Sequence, residues 1–120
     1  MKRRCSALAS ALAVAALILP QWEEAVCREV CRDKGLTERQ GRLLRAIRRA
    51  ENGRPEKAFG VMDARCRTFR KQAEWCANTI KRRFTGDIDA FAQRWTPEDN
   101  PAQWARNVRF FLRKQEEAAR

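Results

Sequence analysis

The stretch RLLRAIRRAENG, Arg42–Gly53, decides how this chain is read. Leu43, Leu44 and Ile47 recur at helical spacing, so one face of the segment is apolar. The same face carries Glu51, one turn beyond Ile47 and two beyond Leu44. Its place in the last turn puts the carboxyl against the negative end of the helix dipole, and partial burial acts in the same direction. Both effects favour the protonated form, and a carboxylic acid kept neutral near neutral pH is equipped for general acid catalysis. The ordinary alternative is a helix-end glutamate turned to solvent or paired with Arg48 or Arg54.

Working outward, Thr37 and Gln40 form a capping box at the start of this helix, and Asn52-Gly53 makes a strong turn at its end. Upstream, QWEEAVCREVCRDKG places Trp22, Val26 and Val30 four apart, with Cys27 and Cys31 beside them and Gly35 as the stop. Downstream, RPEKAFGVMDA has no period and contains Pro55 and Gly60, which predicts a loop or a short hairpin. Cys66, Phe69, Ala73, Cys76, Ile80 and Phe84 then form a helix stripe that reads as core. Thr85-Gly86 ends it, and Asp87 can cap a short helix bearing Ile88, Phe91, Ala92 and Trp95. Asn100 as N-cap and Pro101 at the first helical position open a closing helix with Trp104, Val108, Phe111 and Leu112. The expectation is an all-α domain of about five helices over residues 21–120, with a loop or short hairpin after the Glu51 helix.

Residues 1–20 differ from all that follows. Lys2, Arg3 and Arg4 precede an alanine-rich apolar run, Ala7–Leu19, shorter than the ~20 residues that span a bilayer comfortably. This reads as a signal peptide or signal-anchor. The small-x-small triplet Ala13–Ala15 lies inside the run, so the cleavage site stays open. The implied location is periplasmic or extracellular, with transient membrane contact through the leader or a lasting tether if it is uncleaved.

The chain has 120 residues, 44% of them hydrophobic, enough for one compact domain. A net charge of +11 points to acidic partners, such as anionic wall polymers or lipid surfaces. Nucleic acid is not expected, because the basic residues are scattered over most helices rather than clustered. The chain has no histidine, which excludes Ser-His and Cys-His catalysis and most catalytic zinc sites. No Gly-rich phosphate loop is present and the cysteine spacing does not suit zinc, so neither a metal nor a cofactor is expected. Of the five cysteines, Cys5 lies in the leader, which leaves Cys27, Cys31, Cys66 and Cys76 as an even set in an exported chain, and disulfides are expected among them, with three connectivities open. One unbroken helix over 66–76 would hold its two sulfurs ~15 Å apart, favouring links from the 27/31 pair to the 66/76 pair.

From about Leu43 to Lys114 the chain resembles the lysozyme-like superfamily, nearest to bacterial soluble lytic transglycosylases and goose-type lysozymes. Three blocks carry the resemblance, in the family's order. LLRAIRRAENG is similar to the helix ending in the catalytic Glu, and FGVMDA to the Gly-Leu-Met-Gln motif across the substrate cleft. NTIKRRFTGDIDAFAQRWTP followed by WARNVRFFLRK is similar to the family's helix, Gly-Asp turn, inner alanine-rich helix and closing helix. The resemblance puts the general acid/base on Glu51 and substrate contacts on Gly60, Val61, Met62 and Asp63. It puts Trp95 near the aromatic-Asn-Ala-Gly motif, either stacking on a sugar ring or buried as core. Asp63 stands where the family has Gln and Asn52 where it has Ser, and the chain has no tyrosine.

What the resemblance implies is cleavage of peptidoglycan glycan strands at the MurNAc-GlcNAc β-1,4 bond, with a single Glu as acid and base. The oxocarbenium-like centre would be captured by water or by the sugar's own 6-hydroxyl. Asp63, Asp87 and Asp89 are the candidates for a second carboxylate, each otherwise a cap or a surface acid. The alternative is a catalytically inactive lysozyme-like module that binds the wall or a secretion or phage partner.

Overall fold

A computed structural model describes residues 19–51 and 53–119; residues 1–18 of the expected leader (1–20), and Asn52 of the expected turn, lie outside the described residues. Five helices follow in order: α1 Gln21–Lys34, α2 Glu38–Glu51, α3 Phe69–Arg83, α4 Ile88–Trp95 and α5 Pro101–Ala118. A single 3-10 turn, Pro55–Lys57, interrupts the connection from α2 to α3. The domain is all-α, with no strand among the described residues. The hairpin alternative reduces to an isolated bridge position at Val61.

Most helix ends follow from local chemistry. Gln40 N–H donates to Thr37 Oγ1 (3.1 Å) and Thr37 N–H to Gln40 Oε1 (2.9 Å), so the capping box closes in both directions. Gly35 ends α1 in the left-handed region at φ 68°, where a side chain would be strained. Asp87 accepts from Ala90 N–H (3.1 Å) at the start of α4, and Asn100 from Gln103 N–H (3.2 Å) at the start of α5, ahead of Pro101. The third helix departs from expectation. It begins at Phe69, because Thr68 takes the N-cap and accepts from Lys71 N–H (3.1 Å), which leaves Cys66 in the preceding loop.

α2 is the central element, packing on α5, α3 and α1, while α4 lies against α5 and α1 against α3. Leu43, Leu44 and Ile47 are buried there, each contributing about 1.5–3 kcal/mol of hydrophobic stabilisation. Against them lie the largest buried side chains, Trp95, Trp104, Phe59, Phe91 and Phe111. α1 is rotated from the face its apolar spacing suggests: it buries Glu23, Cys27 and Val30, while Trp22 is 50% exposed.

The expected disulfides are absent: Cys27, Cys31, Cys66 and Cys76 are all reduced. Cys31 Sγ points across to α2, 3.2 Å from where a Cβ on Gly41 would lie. Cys66, outside the helix, donates its S–H to Lys71 O (3.8 Å). Their sulfurs thus engage α2 and the first turn of α3 rather than one another. Burial pushes the Cys27 thiol up to about 12, which keeps it neutral and unreactive. No helix among the described residues is long and apolar enough to cross a membrane.

Candidate functional site

Glu51 is the last residue of α2 and is 3% exposed. Trp104, fully buried on α5, donates its indole N–H to Glu51 Oε2 at 2.8 Å. Apolar spacing places Trp104 on the inner face of α5, but its partner is 53 residues away and no local pattern announces the pair. The two arginines that could have drawn Glu51 outward are engaged elsewhere. Arg54 pairs with Glu56 (3.1 Å), and Arg48 pairs with Glu23 through two bonds, Nε to Oε1 (2.9 Å) and Nη2 to Oε2 (3.0 Å).

That second pair is nearly buried, with the Arg48 side chain 11% and the Glu23 side chain 5% exposed. Arg48 also uses Nη1 to donate to Gly53 O (2.9 Å) and Ala58 O (3.4 Å), and its guanidinium lies over the Phe69 ring. One side chain therefore ties α1 to both ends of the segment that follows Glu51. Gly53 is required there by space: a Cβ at this position would come within 2.5 Å of Lys57 O.

The GVMD segment is held by Gln72, a fully buried residue of α3. Its Oε1 accepts from Phe59 N–H (3.2 Å) and Val61 N–H (3.1 Å), and its Nε2 donates to Val61 O (2.7 Å) and Cys66 O (2.6 Å). All four hydrogen-bonding positions of the amide are used. Gly60, between the two anchored amides, adopts φ 78°, which only glycine takes without strain.

Within this staple Val61 turns inward, Met62 is 40% exposed, and Asp63 accepts from the Arg65 backbone N–H (2.8 Å) and guanidinium (2.9 Å). Those bonds hold the Asp63 carboxyl well below the usual carboxylate range. Val61, Met62 and Asp63 line one cleft of about 370 Å³, together with Arg54, Lys57 and Arg67. Gly60 is the bend behind that wall. Glu51 is not among the residues lining this cleft. Trp95 lies in the core at 1% exposure, stacked on Phe91 with 5.9 Å between ring centres. Asp87 is the α4 cap and Asp89 pairs with Arg109.

Among the described residues no group of three His, Cys, Asp or Glu side chains converges as a metal site. No family model matches the chain, and neither the curated proteins nor the solved structures return a significant match. The functional reading therefore rests on the chain's own residues.

Proposed function

We propose that the protein is an exported peptidoglycan-cleaving glycosidase or lytic transglycosylase in which Glu51 is the single general acid/base. The observation that carries this reading is the Glu51 carboxyl itself: withdrawn from water at the end of the central helix and oriented by Trp104. The order of the sequence blocks adds to it, as does the stapled GVMD segment along a polar cleft. In the first step Glu51 gives its proton to the glycosidic oxygen between N-acetylmuramic acid and N-acetylglucosamine, and the leaving sugar departs. The carboxylate left behind then removes a proton from water or from the sugar's 6-hydroxyl. An indole N–H only donates, so Trp104 fixes Oε2 as an acceptor and orients the Glu51 carboxyl. Proton transfer requires the acid within hydrogen-bond reach of the scissile oxygen, so catalysis requires the buried Glu51 carboxyl to become accessible to substrate.

A specific observation favours a second reading. The same burial at 3%, with Asp63 already tied to Arg65, also suits a catalytically inactive module that binds glycan strands without cutting them. The two readings separate on isolated cell-wall sacculi. The enzyme releases soluble muropeptides, and Glu51→Gln releases none while still sedimenting with the wall. Sedimentation of both forms with no release from several wall types identifies the binding module.

A further inference from the structure

The face of α2 opposite Glu51 carries a second feature that peptidoglycan cleavage does not use. Arg42, Arg45 and Arg49 recur at helical spacing along it, about 10 Å from end to end. They line a cavity of about 560 Å³ between α1, α2 and α5, and Lys114 of α5 faces them. Glu24 and Glu38 are the acids in its wall. Four cationic side chains against two acidic ones leave the wall at net +2.

The acids do not neutralise the cations evenly. Arg42 pairs with Glu38 (3.0 Å), Arg45 with Glu24 (3.6 Å) and Lys114 with Glu117 (3.3 Å), an exposed acid of α5 outside the wall, but Arg49 makes no ion pair among the described residues. It is half-buried, and burial lowers it to about 10 against the opposing pull of Glu24 and Glu23, so it remains cationic at neutral pH with no carboxylate at ion-pair distance among the described residues. A guanidinium drawn out of water without an anion is costly, and a bound anion removes that cost through paired N–H···O bonds. A second polar group waits in the same wall. Gln115 donates from Nε2 to Arg42 O (3.1 Å), while its Oε1 is buried and accepts no hydrogen bond among the described residues. That oxygen asks for a hydroxyl or amide donor, not for the anion itself.

We propose that this cavity binds a phosphate monoester of a hydroxyl-bearing compound of sugar size, with Arg45, Arg49 and Lys114 on the phosphate and Gln115 Oε1 accepting from a hydroxyl. A phosphate monoester carries about −1.5 to −2 at neutral pH, which matches the wall, whereas a single carboxylate leaves it unbalanced. The volume exceeds what a bare phosphate fills and falls within the usual range for small-molecule sites, about 300–1,000 Å³.

Calorimetric titration of the full chain with glucose 6-phosphate tests the assignment, with inorganic phosphate and glucuronate as comparison probes. Saturable one-to-one binding is expected for the phosphate ester, and weaker binding for both comparison anions. Arg49→Met should weaken the ester about tenfold, while Arg83→Gln, which removes an exposed charge from α3, should leave it unchanged. Gln115→Met should weaken the ester but not inorganic phosphate, a split that loss of fold or of net charge does not produce. Absence of saturation, equal losses in Arg49→Met and Arg83→Gln, or inorganic phosphate binding as tightly as the ester would each overturn the proposal.

Discussion

Replacing Gln72 by leucine keeps the bulk of a fully buried side chain and removes four hydrogen bonds at once. The partners left behind are two backbone N–H groups, of Phe59 and Val61, and two carbonyls, of Val61 and Cys66. A typical intramolecular hydrogen bond is worth about 0.5–1.5 kcal/mol net, so the four together come to about 4 kcal/mol. Buried groups left unsatisfied cost about 1–3 kcal/mol each, which would exceed that sum if the segment stayed in place. The segment ends at the exposed residues Met62, Ala64 and Arg65, so it can detach and hydrate its backbone, which caps the loss near the lower figure. The expected destabilisation is about 3–5 kcal/mol, large against a usual domain stability of about 5–15 kcal/mol. Urea unfolding of Gln72→Leu reads this directly, and amide hydrogen exchange at Phe59 and Val61 should rise well before global unfolding. Gln72→Glu keeps the acceptor but loses both donors, and a carboxylate then faces two carbonyl oxygens, so it should rescue little. A loss under about 1 kcal/mol in Gln72→Leu with unchanged protection of those two amides would refute the stapling role.

Arg48→Met should cost about 3–5 kcal/mol, because Glu23 is left buried and unpaired, and the double variant with Glu23→Leu should recover much of that loss in denaturant titrations; a double variant as unstable as the sum of the singles would contradict the pair. Gly53→Ala should lose about 1–3 kcal/mol, since its Cβ meets a backbone oxygen at 2.5 Å. Gly41→Ala, whose Cβ meets the Cys31 sulfur at 3.2 Å and the Arg45 guanidinium at 3.8 Å, side-chain ends rather than backbone, should be close to neutral by the same assay, so equal effects would reject the steric distinction. Burial raises Cys27 from 9.0 to about 12, so the fold holds this proton more tightly than the unfolded chain does. That contribution is complete below pH 9 and is lost as pH climbs from 9 towards 12, so wild type should lose urea resistance there more steeply than Cys27→Ala. Parallel pH profiles would remove Cys27 from the explanation.

Most helix boundaries were legible because their causes are local; the exception is the start of α3, where the stripe from Cys66 outweighed the Thr68 cap. Thr37 and Gln40, Gly35, Asp87, and Asn100 with Pro101 act within one turn of their own positions, and each sits where its chemistry predicts. The rest of what escaped depends on distant partners. Glu23 reads as an acid in a first turn, yet Arg48 draws it inward and rotates α1 so that Trp22 faces partly outward. Gln72 reads as a polar position on a helix, because its four partners lie in a loop without periodicity. The cysteines show the same limit: the even set of four beyond the leader favours bridging, but which way each sulfur points is set by packing between helices, as Cys31 against Gly41 shows. For the candidate site, spacing correctly put Glu51 on the buried face of α2, whereas the indole that holds it became visible only with α5 in place.

Whether the buried Glu51 is a working acid is decided most directly by the muropeptides released when purified full-length protein, wild type and Glu51→Gln, is incubated with the same sacculi. Retained secondary structure and melting behaviour in the variant make the comparison fair. Wild type should release muropeptides with either reducing or anhydro ends, and the variant should fall to the background of untreated wall. Equal release by the two proteins, or none by either, would contradict a catalytic role for Glu51.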